Sequence, residues 1–318
     1  MNLETVPAPP PCSLADAVLE ELWFGDDDPQ RSSLEASQSL ASAVADATGL
    51  KSFPAVAQRV LALLAEPDVQ LSKVQEAMEA DPSLASQLLR LANSAAFRPR
   101  RPYSSLEQAI VRLGTRQVSD LVAGVATLGL FRETGGIGPR VRDHSVGVAA
   151  IARVLATQAR DPAVGVAFLA GLLHDVGKLL SLQVAEMPYE ALPDELLEAP
   201  DRVHVEERVR LGYDHAVLGA HVLQKWNMDS LLTQVVAWHH QPVRAYEAGG
   251  DVAKVVAYLR VANRAEYLLA RDEKPDDAIF ESFAKDAANS WLDHSADVYR
   301  ALWPELNDAR QDLLAALG

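Results

Sequence analysis

The chain has 318 residues, 49% of them hydrophobic, enough to bury a large core in two or three domains. A net charge of −15 and a pI near 4.9 leave no cationic surface to hold a phosphate backbone, which disfavours nonspecific binding to nucleic acid or an anionic membrane. The single cysteine, Cys12, excludes an internal disulfide and a cysteine-rich zinc site.

The chain opens with Glu4 and prolines in place of a basic segment and an apolar core. No apolar run is expected to approach the ~18 residues of a membrane span, so the expectation is a soluble, cytoplasmic protein. Residues 1–12 have the proline-rich composition of a disordered segment. Ser13 with Asp16 signals a first helix carrying Leu14, Val18, Leu19 and Leu22, ended by Gly25 to Pro29. A second helical segment, Leu34 to Ala47, is rich in alanine and serine and is expected to lean on the domain C-terminal to it. Asp26, Asp27 and Asp28 follow no apolar strand and read as a solvated loop.

From Phe53 to Phe131 short helices succeed one another with clear punctuation. One stops at Leu64 before Pro67; Ser72 with Gln75 opens the next; Asp81-Pro82 opens a third; Ser104 with Glu107 opens a fourth that ends at Gly114; Gln117 to Phe131 makes a fifth. No stretch alternates with period two, so this part is all-α. Its tight apolar run from Leu88 to Ala92 ends in Asn93-Ser94, which reads as a capped core helix, the alternative being a family-specific interdomain surface. Arg98, Arg100 and Arg101 form the densest basic cluster and read as a solvated loop.

Gly135 to Gly138 is a linker, since no strand precedes it and no Gly-Lys-Ser/Thr follows. The next helix places His144 in line with Val148, Ile151 and Leu155. Asp161-Pro162 then opens an almost wholly apolar run whose side chains cover every side, the pattern of an enclosed central helix. That run ends in His174-Asp175, with Gly177 as its natural stop and Lys178 one turn on. A histidine and an aspartate there can reach one cation, although a buried His-carboxylate pair is also an ordinary core feature. An acidic, proline-broken stretch runs from Glu186 to Glu207, in which His204 reads as surface.

Asp214 caps a helix that presents His215 with Leu218 and Val222. His221, six residues on, lies about 120° away and belongs to the polar face. His239 and His240 close the helix begun at Asp229. They can serve one metal or two, or one of them can simply bond the terminal carbonyls of its helix. Four helices thus each offer an inward histidine near one end.

In order and spacing these motifs resemble the HD superfamily of metal-dependent phosphohydrolases, and most closely its HDOD branch, the HD-related output domain. The resemblance spans roughly Gly49 to Arg271. It rests on Phe53-Pro-Ala-Val56, Asp81-Pro-Ser-Leu-Ala85, Leu88-Leu-Arg-Leu-Ala-Asn-Ser94, Ser105-Leu-Glu-Gln-Ala-Ile110, Gly171-Leu-Leu-His-Asp-Val-Gly-Lys178, Gly212-Tyr-Asp-His-Ala-Val-Leu-Gly219, Trp226 and His239-His240-Gln-Pro242. The resemblance implies an all-α fold with an N-terminal extension at 1–48 and an HDOD domain at 49–250. That domain divides into a helical subdomain at 49–131 and an HD-like subdomain at 132–250. C-terminal helices at 251–318 come last, the first completing the bundle. It also implies metal ligands at His144, His174, Asp175, His215, His239 and His240, and structural roles for Asn93 and for a glutamate that is Glu207 by spacing.

The departures matter as much as the matches. The resemblance implies a final aspartate ligand where Leu259-Arg-Val-Ala-Asn263 places an amide, which keeps a carbonyl donor but removes a negative charge. The cyclic-dinucleotide hydrolases of the superfamily have a glutamate where Arg140 stands and a Gly-Tyr-Pro loop where Gln241 to Arg244 stands. Two readings remain. One is a regulatory module of bacterial signal-transduction type, with a degenerate site holding a divalent metal (Fe, Mn, Mg or Zn) or none, acting on signalling proteins or as a homodimer. The other is a divalent-metal phosphohydrolase of nucleotides or cyclic dinucleotides, in which Lys178 stabilises charge on the phosphoryl group. Beyond Arg271 the resemblance fades; three short helical patterns are expected, free to pack back on the bundle or to form a dimer contact, and His294 stands apart from the site.

Overall fold

The structure, a computed structural model, describes residues 34–50, 53–94, 97, 101–130, 135–185, 187–189, 192, 200–226 and 228–317. The first expected helix, Asp26 to Asp28, and Arg98 and Arg100 lie outside these residues. The described residues are predominantly helical, with no strand among them.

Helix α1 (Leu34–Leu50) leans on the later helices through Ala36, Leu40, Ala43, Val44 and Ala47. It is followed by α2 (Ala55–Leu64), α3 (Leu71–Glu79), α4 (Pro82–Ala92), α5 (Leu106–Leu113) and α6 (Thr115–Gly129). Asp81 caps α4 by accepting from the Leu84 amide at 3.0 Å, with Pro82 in the first turn. Three other starts shift from expectation. Ser72 lies inside α3, whose cap is Gln70, and the cap of α5 is Ser105, which accepts from the Gln108 amide at 3.2 Å while the Gln108 side chain accepts from the Ser104 amide. Helix α6 begins two residues earlier than expected, directly after Gly114 at φ 83°. Asn93 clamps the chain beyond α4: its amide donates to the Tyr103 carbonyl at 2.9 Å and accepts from the Tyr103 N–H at 2.7 Å.

The second half is built around α8 (Val164–Leu173), in which every residue from Val166 to Leu173 is buried. It packs against α6, α7 (Gly138–Gln158), α12 (Ser230–Trp238) and α14 (Gly250–Ala270). Each fully buried Leu or Phe there contributes roughly 1.5–3 kcal/mol. Helix α8 starts later than the sequence suggests: Asp161 and Pro162 form a turn, with Asp161 accepting from the Ala163 amide at 2.8 Å. It also does not stop at Gly177. It ends at Leu173, His174 and Asp175 form a two-residue turn, and α9 (Val176–Val184) continues with Gly177 inside it. A Cβ on Gly171 would lie 2.5 Å from the Ala149 Cα, and one on Gly177 would lie 1.8 Å from the His215 carbonyl oxygen. Bare backbone at these two points seats α8 on α7 and α9 on α11 (His215–Lys225).

The segment Val164–Val184 has mean hydropathy 1.4 and meets the length and composition of a membrane span, contrary to the expectation of none. It is 89% buried inside the fold and broken by the turn at His174-Asp175. The stretch expected to be irregular up to Glu207 holds a helix, α10 (Pro200–Leu211). Helix α13 (Pro242–Ala248) succeeds the paired histidines. At the C-terminal side, α15 (Asp277–Ala284) and α16 (Asn289–Leu292) are short, but α17 (Ala296–Leu317) is a long helix containing Pro304, which packs along α7. These last helices therefore fold back on the bundle.

Candidate metal centre

Four helix ends converge on Asp175. Helix α7 brings His144, the α8–α9 turn brings His174 and Asp175, the start of α11 brings His215, and the end of α12 brings His239 and His240. Asp214 caps α11 through the Val217 amide at 2.9 Å and so fixes the terminus that carries His215, while Asp229 caps the opposite end of α12 from His239 and His240.

Four of the rings are held the same way. Nδ1 of His144 meets Glu266 Oε2 at 2.6 Å, Nδ1 of His215 meets Glu207 Oε2 at 2.6 Å, and Nδ1 of His174 and His239 meet the Gly171 and Val236 carbonyls at 2.8 and 2.7 Å. An acceptor at Nδ1 puts the hydrogen there and aims Nε2 elsewhere. In every case Nε2 faces Asp175. The distances to Oδ2 are 4.0 Å from His144 and 3.5 Å from His174, and those to Oδ1 are 3.1 Å from His215 and 3.9 Å from His239. His240 closes the far side, its Nε2 3.1 Å from that of His215.

The ligand atoms of Asp175, His215, His239 and His240 lie within 4.8 Å of one another, and so do those of His144, His174 and Asp175. Asp175 is common to both groups. Its Oδ2 also accepts from Lys178 Nζ at 2.8 Å, so Lys178 sits inside the cluster as the partner of the shared carboxylate.

Burial shapes the charge state. It opposes a proton on His215, but Glu207 outweighs it with help from Asp175, and the ring's pKa is raised to about 9. Burial pushes His174 down to about 4 and holds His239 and His240 well below the ordinary imidazole value. Burial also opposes the charge on Asp175, yet His174, Lys178 and His215 keep its carboxyl well below the usual carboxylate range. The cluster thus carries its proton on His215 beside three neutral rings. A divalent cation held by Asp175 and the neutral rings would compete with that one proton.

The donor set fits a divalent metal. His174 Nε2 and Asn263 Oδ1 are buried without a hydrogen-bond partner, a state costing roughly 1–3 kcal/mol per group unless something binds them. Asn263 lies on α14 and lines a cavity of about 300 Å³ together with His174 and His239. A second cavity of about 270 Å³ opens on the other side, where His144, Asp175 and Lys178 meet Arg140, Tyr267, Arg271 and Arg310.

Four contributors escape a reading of the sequence. Glu266 is 3% exposed and lies one turn after Asn263 on α14, a spacing that could have revealed it. Arg310, on α17, donates to Glu266 Oε1 at 3.0 Å and gives no local signal. Tyr189 donates to Glu207 Oε1 at 2.7 Å from an otherwise irregular stretch. His204, expected at the surface, is half-buried: it stands on α10 and stacks on His240 with ring centroids 4.3 Å apart and planes 14° apart, and burial pushes its pKa down to about 4. Glu207, chosen by spacing, is fully buried and also accepts from the His215 amide at 2.8 Å. His294 bonds Asn289 through its backbone and stays outside the cluster.

Residues 50–242 match the HDOD domain family. An uncharacterized protein of Treponema pallidum is 24% identical over 227 residues, 71% of this chain; the chain spans 44% of that curated relative's length. Among solved structures, a candidate phosphohydrolase from Shewanella amazonensis superposes with a TM-score of 0.66 at 22% identity, over 87% of this chain and 98% of the other. An HDOD domain protein of unknown function from Geobacter sulfurreducens gives 0.63 at 22% identity, over 87% and 98%. A candidate signal-transduction protein from Marinobacter aquaeolei gives 0.61 at 22% identity, over 94% and 68%. At these identities the structures support the shared fold, and the matched family covers more than half of the chain. The chain belongs to the HDOD domain family.

Proposed function

We propose that the chain is a signalling module that works through protein partners, and that its histidine cluster binds a divalent metal without running efficient hydrolysis. The observation that carries the metal reading is the common orientation of His144, His174, His215 and His239, each held at Nδ1 and aimed through Nε2 at Asp175. Five imidazoles and one carboxylate suit iron(II) or zinc better than magnesium, which prefers an all-oxygen shell.

The same geometry argues against strong hydrolysis. Hard cations such as manganese and magnesium are retained chiefly by anionic and carbonyl oxygen donors, and bound water is activated only where the cation is retained. Here the one carboxylate in the cluster is already paired with Lys178, Asn263 supplies only an amide, and Glu266 is taken up by His144 and Arg310. The alternative, a phosphohydrolase, draws support from the cavity of about 270 Å³ in which Lys178 and three arginines surround Asp175.

Turnover separates the two readings. With manganese or iron(II) supplied, the chain is expected to hydrolyse a generic phosphodiester and cyclic dinucleotides no faster than a His174→Ala control. Asn263→Asp is expected to tighten manganese binding on the order of tenfold, since one added charge near the cation is worth over 1 kcal/mol. Robust wild-type turnover that disappears in His174→Ala would instead establish the phosphohydrolase.

A further inference from the structure

Of the four rings aimed at Asp175, His144 is held in a way that reaches beyond its own bundle. His174 and His239 lean on backbone carbonyls of their own helices, and His215 on Glu207 of the neighbouring α10. His144 leans on Glu266, whose other oxygen accepts from Arg310 on α17, and α17 lies outside the residues that match the family. We propose that Glu266 and Arg310 are a positioning relay that sets the tautomer of His144 and couples the docking of α17 to metal binding at His144, His174 and Asp175. The relay rests on the metal-binding reading of this cluster.

Glu266 has little freedom to do otherwise. It is 3% exposed, and Gly147 leaves bare backbone beside it: a Cβ there would lie 2.6 Å from Glu266 Cγ and 2.9 Å from its Oε1. The carboxylate is thus pinned between α7 and the Arg310 guanidinium, with Oε2 2.6 Å from His144 Nδ1. A carboxylate only accepts, so the hydrogen of the neutral ring stays on Nδ1 and the lone pair on Nε2 faces Asp175. Without Glu266 that nitrogen loses the acceptor that fixes the choice. Without Arg310, Glu266 keeps its charge in a buried place and loses one of its two partners, so the ring's anchor loosens when α17 lifts. Coupling of this kind is reciprocal: metal binding should hold α17 down as firmly as α17 supports the metal.

The test uses the full chain. In metal-free protein, imidazole nitrogen NMR is expected to find His144 protonated on Nδ1. Zinc titration by calorimetry is expected to weaken about 10–100-fold in Glu266→Leu, the usual effect of losing a partner behind a metal-ligating histidine. It should weaken less in Arg310→Met and recover partly in Arg310→Lys. Added zinc should slow amide hydrogen exchange in α17 of the wild type and not in Arg310→Met. A wild-type His144 with its hydrogen on Nε2, or folded Glu266→Leu and Arg310→Met proteins that bind zinc as the wild type does, would overturn the relay. Failure of the wild type to bind zinc at all would instead defeat the metal reading. The coupling to metal then falls with that reading, and the positioning of His144 is decided by the metal-free protein: a His144 tautomer that shifts in Arg310→Met supports it, and an unchanged one overturns it.

Discussion

Replacing Gly177 with alanine is expected to destabilise the protein by roughly 4 kcal/mol or more, the range reached when a core position has no room to relax. The new Cβ would meet the His215 carbonyl oxygen at 1.8 Å, its carbon at 2.6 Å and its Cα at 2.9 Å. These are backbone atoms, so no rotamer change relieves the clash. The partner face is just as bare: a Cβ on Gly219 would lie 3.1 Å from the Gly177 nitrogen. Helices α9 and α11 must move apart, and that carries His215 away from Asp175, now 3.1 Å from it. Gly129→Ala is the control, since a Cβ there meets nothing within 4 Å and its effect should stay within about 1 kcal/mol. Denaturant unfolding of both variants checks this; a Gly177→Ala protein as stable as the wild type would refute the close approach.

The stability that the His215 proton lends the metal-free protein is expected to fall by about 3 kcal/mol as pH rises from 6.5 to 9, offset in part by the depressed rings of His174, His204, His239 and His240, whose unfolded forms lose their protons over the same range. His215 has a pKa raised to about 9 in the fold against an ordinary value of 6.5, and each unit of difference is worth about 1.4 kcal/mol. Because the folded value is the higher one, the contribution is fully present below the unfolded pKa and is lost as pH rises through the folded one. Burial works against the proton; the Glu207 carboxylate, 2.6 Å from Nδ1, is what holds it. Glu207→Gln keeps the shape and an acceptor for His215 while removing the charge. It should cost on the order of 3–5 kcal/mol near pH 6, as breaking a buried ion pair does, and approach the wild type above pH 9. A stability difference between wild type and Glu207→Gln that stays flat from pH 6.5 to 9 would show that His215 is not charged in the fold.

Much of the cluster was legible because its histidines sit where local signals end helices. His215 comes directly after the cap Asp214, and His239 and His240 precede Gln241-Pro242. His174 and Asp175 terminate a run apolar on every side, which only an enclosed helix can tolerate. Misreadings arose where tertiary contact overrides the local rule. Glycine after an apolar run normally ends a helix, yet Gly177 continues one because α11 passes against it. Helix α10 carries charge on most sides and comes after prolines, so neither it nor the stacking of His204 on His240 is visible in the sequence. The Glu266–Arg310 pair joins residues 44 positions apart, beyond the reach of any periodicity. Serine caps shifted by a residue or two, as at Ser105, move no side chain of the cluster.

The most direct measurement is the metal content of the chain purified without chelator, alongside an Asp175→Asn variant. Asp175 is the one residue common to both groups of ligand atoms. The expected result is at least about one iron or zinc per wild-type chain and more than about a 100-fold loss of affinity in Asp175→Asn, beyond the effect of losing a partner behind a ligand. A folded wild-type protein that carries no metal and takes up none when iron(II), manganese or zinc is supplied would contradict the account and leave the histidines around Asp175 as a hydrogen-bonded core.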